Sequence, residues 1–495
     1  MLVYLFRRNA VRYSYQMEPH VASGLAPDCC PKYLRLAKSF ERQLRAGVLR
    51  VGDRLPSIRQ LRDAHQVSAA TAVGCYLWLE RQGYVRARPK SGYFVSRAPV
   101  AEGPAPDVTA RMRGPVPVRM AGLNGAGVLL SRRGALDLGP AVVCPALLPT
   151  RRLNRSVRLA LSAFSDHAVE YEDTRGNLRL RRQIARLVFR QGATCSADDI
   201  IVTSGSTEAL NLAIRAVTSP GSVVAVESPS CYETLQVLES LHLRAVEIPH
   251  VPKQGVDLAL LESAVTRHKV AAVITIATCH NPMGDCVTDD HKARLVAFAE
   301  RHDLPIIESD TFGDLVFSGP RPRAIKAFDT SGLVLQCCSL AHYVAPGFNL
   351  GWANAGRWQA HVRHLKSLAN VANARLPQLA MAEFLESGGF DTHLRDLRAA
   401  LWHAVDAARD EVLRTFPSGT RVSLPEGGFV LWVQLPEGFD GVEVASRTAA
   451  AGIAILPGAA FSANLQYRNY IRIACGHPAD VLRPAIRTIA RLLTA

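Results

Sequence analysis

The 495-residue sequence predicts two folded units of different class. Residues 31–97 read as a small α+β module of three helices and a hairpin. Residues 132–495 read as an α/β unit on a mostly parallel sheet, with a smaller α+β C-terminal subdomain from about residue 385. Three observations carry this reading. Charge is segregated: residues 31–97 hold 14 Lys/Arg against four acids, in a chain of net charge +15. Pro99, Pro104, Pro106, Pro115 and Pro117 fall between the two parts. Beyond them, short β-rich runs alternate with helical patterns, the signature of parallel α/β units.

In the first part, Leu34, Leu36, Ala37, Phe40 and Leu44 recur at helical spacing over 32–47. Gly47 and Gly52 mark a break. Pro56-Ser57 opens a second helix, with Ser57 as its N-cap. Ser68 opens a third, which carries Ala72, Val73, Tyr76, Leu77 and Leu79 and ends at Gly83. Tyr84–Ala87 and Tyr93–Ser96 read as strands around the turn at 89–92. Three helices plus a hairpin make a winged helix-turn-helix, and its surplus of cations suits a polyanion partner. Residues 98–131 show no sustained period and read as a linker that lets the two parts move. Residues 1–30 read as an N-terminal extension. Met17 is an alternative start, so part of this extension is expected to be untranslated.

In the second part, Ile200–Val202, Val223–Val226, Val273–Thr275, Pro305–Glu308 and Val334–Leu335 are the expected parallel strands, with a helix at Thr207–Thr218 between the first two. The C-terminal subdomain is expected to hold a long helix at 391–415 and strands at Gly428–Gln434 and Tyr470–Cys475. Apolar residues make up 48% of the chain, yet runs such as Val270–Thr278 are too short to span a bilayer. Met1–Phe6 precedes Arg7 and Arg8, the reverse of a secretory leader. The 11 cysteines include no C-x-x-C and no metal-like spacing, so reduced thiols, no metal and a cytoplasmic location are expected.

Four motifs sit in the N-terminal module. Gly52-Asp53-Arg54-Leu55-Pro56-Ser57-Ile58-Arg59-Gln60-Leu61 is followed by Val67-Ser68-Ala69-Ala70-Thr71, Leu79-Glu80-Arg81-Gln82-Gly83-Tyr84 and Ser91-Gly92-Tyr93-Phe94-Val95. In this order and spacing the series resembles a GntR-type winged helix. The resemblance implies a double-stranded DNA operator as partner. Ser68, Ala69 and Thr71 would face a major groove from the first turn of the third helix, where amides and hydroxyls suit phosphate oxygens. Arg59 and Lys90 would reach the DNA backbone, and Gly92 would permit close approach of the wing. Arg54 reads as fold-stabilising. Ala69 stands where family members often carry arginine, which removes a base or phosphate contact.

The large unit carries its own ordered set. It comprises Tyr171 with Gly176, Leu178 and Leu180-Arg181; Thr203-Ser204-Gly205-Ser206-Thr207-Glu208-Ala209-Leu210; and Tyr232 in Glu227-Ser228-Pro229-Ser230-Cys231-Tyr232. His280-Asn281-Pro282-Met283-Gly284, Glu308-Ser309-Asp310-Thr311-Phe312-Gly313, a loop from Ser339 to Gly351, and Tyr470-Ile471-Arg472-Ile473 follow. The set resembles a fold-type-I aminotransferase domain, an α/β PLP-transferase-like fold whose cofactor is pyridoxal phosphate (PLP). The resemblance implies that Gly205, Ser206 and Thr207 cradle the cofactor phosphate and that Tyr171 reaches it across a dimer interface. Tyr232 would stack on the pyridine ring, and Asn281 would bond its hydroxyl. Asp310 would keep the ring nitrogen protonated, and Ser339 belongs to the same site. Arg472 would clamp a ligand carboxylate bidentately.

Three positions depart from that pattern. His342 stands at the Schiff-base lysine, Asn349 at the phosphate arginine and Phe312 at a ring-hydroxyl tyrosine. Imidazole forms no stable aldimine, so no catalytic residue is assigned. None of the eight lysines reads as a substitute; Lys366 falls in a helical run that the family places outside the pocket. Loss of the phosphate arginine weakens anion binding by about 1.5–3 kcal/mol. PLP binding is therefore expected to be weak, non-covalent or absent. The whole arrangement resembles the MocR-type transcriptional regulators. It implies a homodimer through the large domain that binds DNA and responds to a small-molecule effector. A working PLP-dependent aminotransferase with a DNA-binding appendage, and a regulator whose large domain is only a dimerisation scaffold, are the alternatives.

Overall fold

The computed structural model describes residues 31–45, 48–81, 84–88, 91–96, 103–107, 112–120, 135–164 and 168–494. Residues 1–30, with Met17, and Lys90 lie outside the described residues. The chain divides into two units, Met1–Glu80 with Val85–Ala98 and Arg81–Tyr84 with Pro99–Ala495.

The helices of the first unit are Lys32–Arg45, Ile58–His65 and Ala69–Arg81. Ser57 starts the second with a complete capping box: its Oγ accepts from Gln60 N at 3.2 Å, and the Gln60 side chain accepts from Ser57 N at 2.8 Å. Ser68 precedes the third, its Oγ accepting the Thr71 N–H at 3.1 Å. Val85–Arg88 and Gly92–Val95 pair antiparallel as the wing, within about one residue of the expected limits. The chain before the second helix is tied to it, Gly52 N donating to Val95 O and Leu55 N to Tyr93 O. Ala37, Leu44, Leu61, Ala72 and Leu79 fill the core, together with Tyr76. Its ring stacks on Tyr93 at 4.3 Å, and its hydroxyl donates to Pro56 O at 2.5 Å. Each fully buried large apolar side chain of this kind contributes about 1.5–3 kcal/mol.

The second unit is built on a nine-stranded sheet. Arg244–Val251, Val223–Ser228, Val270–Thr275, Ile306–Ser309 and Val334–Ser339 lie side by side in parallel. Leu350–Asn354 then runs antiparallel between Val334–Ser339 and Ile201–Ser204. Strands covered on both faces read as continuous apolar runs, which is why most of them were visible in the sequence. Arg244–Val251 and Leu350–Asn354 were not among the expected strands: Arg244, Glu247 and His250 interrupt the first, and Gly351 and Asn354 the second. The helix Gly205–Val217 packs on one face of the sheet, and Leu258–His268 and Asp289–His302 on the other.

The C-terminal subdomain holds the helix Gly389–Thr415 and a four-stranded sheet of Arg421–Val422, Val430–Gln434, Tyr470–Ala474 and Leu456–Pro457. Leu136–Asp137 returns to it by pairing with Ile453–Ala454. The stretch 98–131, expected as a linker, carries structure in its described parts. Val116–Pro117 pairs antiparallel with the outermost parallel strand, Arg244–Val251. Met120 N donates to Glu239 Oε1 at 2.8 Å, Asp107 N donates to Gln434 Oε1 at 2.8 Å, and Val118 and Met120 are buried. The prolines hid this, because proline within a sheet is confined to edges and strand starts. Among the described residues no helix is long and apolar enough to cross a membrane.

Candidate functional site

In the first unit, Ser68 and Ala69 are exposed and Thr71 is half-buried at the start of Ala69–Arg81. The Ser68 and Thr71 hydroxyl oxygens lie 2.8 Å apart, so one of their two protons is used between them. The Arg59 side chain is 86% exposed, with Nε 4.0 Å from Asp63. Gly92 has φ +102° in the wing, and a Cβ there would stand 3.6 Å from Arg54 Nε. Arg54 forms a backbone bridge to Phe94, in keeping with a role in the fold.

In the second unit, Gly205 opens the helix Gly205–Val217 with φ +72°, and a Cβ there would meet Asn349 Oδ1 at 2.5 Å. Asn349 therefore lies directly against the N-terminal end of this helix, where unpaired amides face outward. Ser206 follows, its Oγ 3.3 Å from Nε2 of His342. Nδ1 of His342 lies 2.9 Å from the Ala141 carbonyl. A carbonyl only accepts, so Nδ1 carries a proton toward Ala141, and Nε2 is the nitrogen that faces Ser206. Phe312 meets the His342 ring edge-on at 5.4 Å. Thr207 is exposed. Ser339 is buried and satisfied within its own loop, donating to Leu350 O at 3.2 Å and accepting from Ala341 N at 3.0 Å.

Arg472 is fully buried. Its Nη1 donates to Asn281 Oδ1 at 3.3 Å, while Nε and Nη2 have no hydrogen-bond partner among the described residues. Its guanidinium lies 5.8 Å from the Tyr232 ring and 5.4 Å from that of Phe461. Burial pulls its pKa below the usual arginine value. Structure thus brings Tyr232, Asn281 and Arg472 together, and Ser206 with His342. Tyr171 stands apart at 86% exposed.

Asp310 has a partner the sequence reading missed. Arg321 Nη2 lies 2.5 Å from Asp310 Oδ2, and Arg321 Nε lies 2.9 Å from Asp314 Oδ1. Gln336 Nε2 adds a 3.2 Å bond to the same Oδ2, and Oδ1 has none among the described residues. Arg321 sits 11 positions beyond Asp310 on an irregular loop, so no period could have linked them. Two lysines are buried with their amines engaged. Lys292 Nζ donates to Arg323 O at 2.6 Å. Lys366 Nζ donates to Asn373 Oδ1 at 2.7 Å and lies 3.4 Å from Glu208, in the first turn of Gly205–Val217.

Behind Asn281 lies a buried network. Nδ1 and Nε2 of His250 face Glu227 at 3.3 Å and Asp285 at 3.0 Å, and His280 Nε2 lies 3.4 Å from Glu227. Glu227, His250 and His280 have the composition of a metal site. Both nitrogens of His250 are already spent on carboxylates, however, and the two imidazoles lie against each other with centroids 4.0 Å apart, tilted by 33°. The network reads as paired charge. Burial disfavours every ion in it, yet His280 and His250 hold Glu227 down to about 2, and Asp285 and Glu227 push His250 up to about 10. Burial and the His250 charge keep His280 below its ordinary value.

A family model described as aminotransferase class I and II matches residues 153–489, and one described as bacterial regulatory proteins, gntR family, matches residues 32–95. The chain belongs to the class I and II aminotransferase family, with a GntR-family DNA-binding region before it: the MocR arrangement of a transcriptional regulator. It is 34% identical to the uncharacterized HTH-type transcriptional regulator YjiR of Escherichia coli (strain K12) over 92% of this chain and 98% of the relative. It is 33% identical to the uncharacterized HTH-type transcriptional regulator YdcR of the same strain, over 89% of this chain and 94% of that one. Among solved structures, the kynurenine aminotransferase of Pyrococcus horikoshii superposes with a TM-score of 0.69 at 26% identity, over 77% of this chain and 95% of that one. The fold family is PLP-dependent.

Proposed function

We propose that the aminotransferase-like domain of this regulator is a degenerate PLP site that works as an effector pocket. The observation that carries the reading is His342. An imidazole whose two nitrogens face Ala141 O and Ser206 Oγ stands where the resemblance places the Schiff-base lysine. No aldimine forms on it. The buried amines of Lys292 and Lys366 are engaged elsewhere, which supports the absence of a substitute. The ion pair with Arg321 supports it further: a carboxylate already neutralised is a poor partner for a pyridinium proton. These residues do not fit a tethered cofactor. PLP binds weakly and without a covalent bond, or not at all.

The pocket retains what a small anion needs. Arg472 offers two unpartnered donors, and Gly205, Ser206 and Thr207 offer a helix N-terminus. A small carboxylate or phosphate ligand bound there biases the DNA-binding units, within a homodimer to which Tyr171 contributes across the interface. In the DNA-reading unit, Arg59, Ser68, Ala69, Thr71, Lys90 and Gly92 form the operator-facing set. The unpartnered nitrogens of Arg472 favour this reading over a pure dimerisation scaffold.

A PLP titration with borohydride trapping and mass spectrometry, run beside His342→Lys, tests the proposal. The expected result is no trapped adduct in the natural protein and one in the variant. A lysine adduct trapped in the natural protein restores the enzyme reading.

A further inference from the structure

The turn that carries Asn281 is flanked by two cysteines. Cys279 precedes His280 and Cys286 follows Asp285. Between them His280 N donates to Asp285 O at 2.9 Å, and Gly284 N donates to His280 O at 2.6 Å. Cys279 N donates to Cys286 Sγ at 3.4 Å, and the two thiols are hydrogen-bonded to each other. That 3.4 Å approach sets the two side chains next to each other, the first requirement for a disulfide.

The two sulfurs are unlike. Cys279 is buried, with the backbone at Gly427 packed so closely that a Cβ there would stand 2.4 Å from its Sγ. Cys286 is half-buried. The hydrogen bond from the Cys279 thiol holds Cys286 below the ordinary thiol value; the same bond, with burial, pushes Cys279 up. A half-buried sulfur beside a fully buried one is the arrangement of an attacking and a resolving cysteine.

We propose that Cys279 and Cys286 form a hydroperoxide-sensitive dithiol, a modification site set at the turn of the candidate pocket. The Cys286 thiolate attacks the peroxide oxygen. An S–O bond forms, the O–O bond breaks, and the departing hydroxide or alkoxide takes a proton. The Cys279 thiol then gives up its proton and its sulfur attacks the sulfenic sulfur. The S–S bond forms, the S–O bond breaks and water leaves. Two thiols supply the two electrons that the peroxide accepts, and a dithiol reductant reverses the change. The resulting ring encloses residues 280–285 and holds His280 and Asn281 in one arrangement.

The test uses the full chain, hydrogen peroxide, alkylation of remaining thiols and peptide mass spectrometry. Trypsin places both cysteines in one peptide, Val270–Lys292. The expected result is loss of two hydrogens from that peptide and loss of its alkylation, both restored by reductant. The buried Cys337 and Cys338 are expected to stay unoxidised under the same exposure. In Cys279→Ser, a sulfenic acid at Cys286 is expected to accumulate and to be trapped by dimedone. Should Cys286 stay fully alkylatable at peroxide doses that oxidise the isolated peptide, or oxidise without closing the ring in the natural protein, the proposal is overturned.

Discussion

Arg321 holds Asp310 through a 2.5 Å contact between Nη2 and Oδ2, with both side chains almost entirely out of water. Removing one member of such a pair leaves an uncompensated buried charge, at a cost of about 3–5 kcal/mol. Arg321→Met should lower the unfolding free energy of the large unit by that order. Combining it with Asp310→Asn should recover part of the loss. Urea unfolding of both single variants and the double variant reads the coupling, and strictly additive losses would show that the two side chains do not act as a pair.

Arg472 presents the opposite case, a buried cation with donors unmet. Two aromatic faces compensate it only in part. Arg472→Met should therefore stabilise the ligand-free protein, by about 1–4 kcal/mol. The same change should abolish any rise in melting temperature that small carboxylates produce in the natural protein. Destabilisation by this substitution would mean that the guanidinium is a structural strut.

The buried network behind Asn281 sets a pH optimum. His250 is raised from its ordinary 6.5 to about 10, so its contribution is complete below pH 6.5 and is lost as pH rises toward 10. His280 is lowered, so its contribution is complete above 6.5 and declines as pH falls. Glu227, lowered from 4.5 to about 2, adds a further loss below pH 4.5, and Asp285 acts in the same direction. Stability of the large unit should peak near pH 6.5 and decline on both sides. His250→Gln should lower the whole curve and flatten its alkaline limb. Chemical denaturation at a series of pH values measures both.

DNA affinity should fall steeply with salt, because the exposed cations of the first unit release counterions from the DNA. Arg59→Ala should reduce the slope of log K against log salt by about 1 and weaken binding similarly for all sequences. Fluorescence anisotropy between low and physiological salt gives the slope. A response flat over that range would mean that the winged helix does not meet the DNA backbone.

The sequence disclosed the parts of this molecule that depend on local pattern. The Ser57 and Ser68 caps, the wing and the hydrophobic parallel strands follow from turn chemistry and periodicity. The cradle glycine, Asn281 and Arg472 were each reached by motif, but the bond between the last two, 191 residues apart, was not. What remained hidden depends on side chains meeting across the fold. Arg321 reaches Asp310 from a loop, Asn349 settles against Gly205, and His250 bridges two acids from a strand whose polar residues disguised it. The Ser339 hydroxyl was placed by motif alone, and its bonds to Leu350 and Ala341 were not legible in the sequence.

Val116–Pro117 bears on solubility. It closes one margin of the nine-stranded sheet with a two-residue strand, and Pro117 has no N–H to offer a further neighbour. A long bare edge at Arg244–Val251 would be a template for strand addition between molecules. This short proline-ended cover occupies the Arg244–Ala245 end of that edge, so residues that resemble a connector shorten the stretch open to such addition.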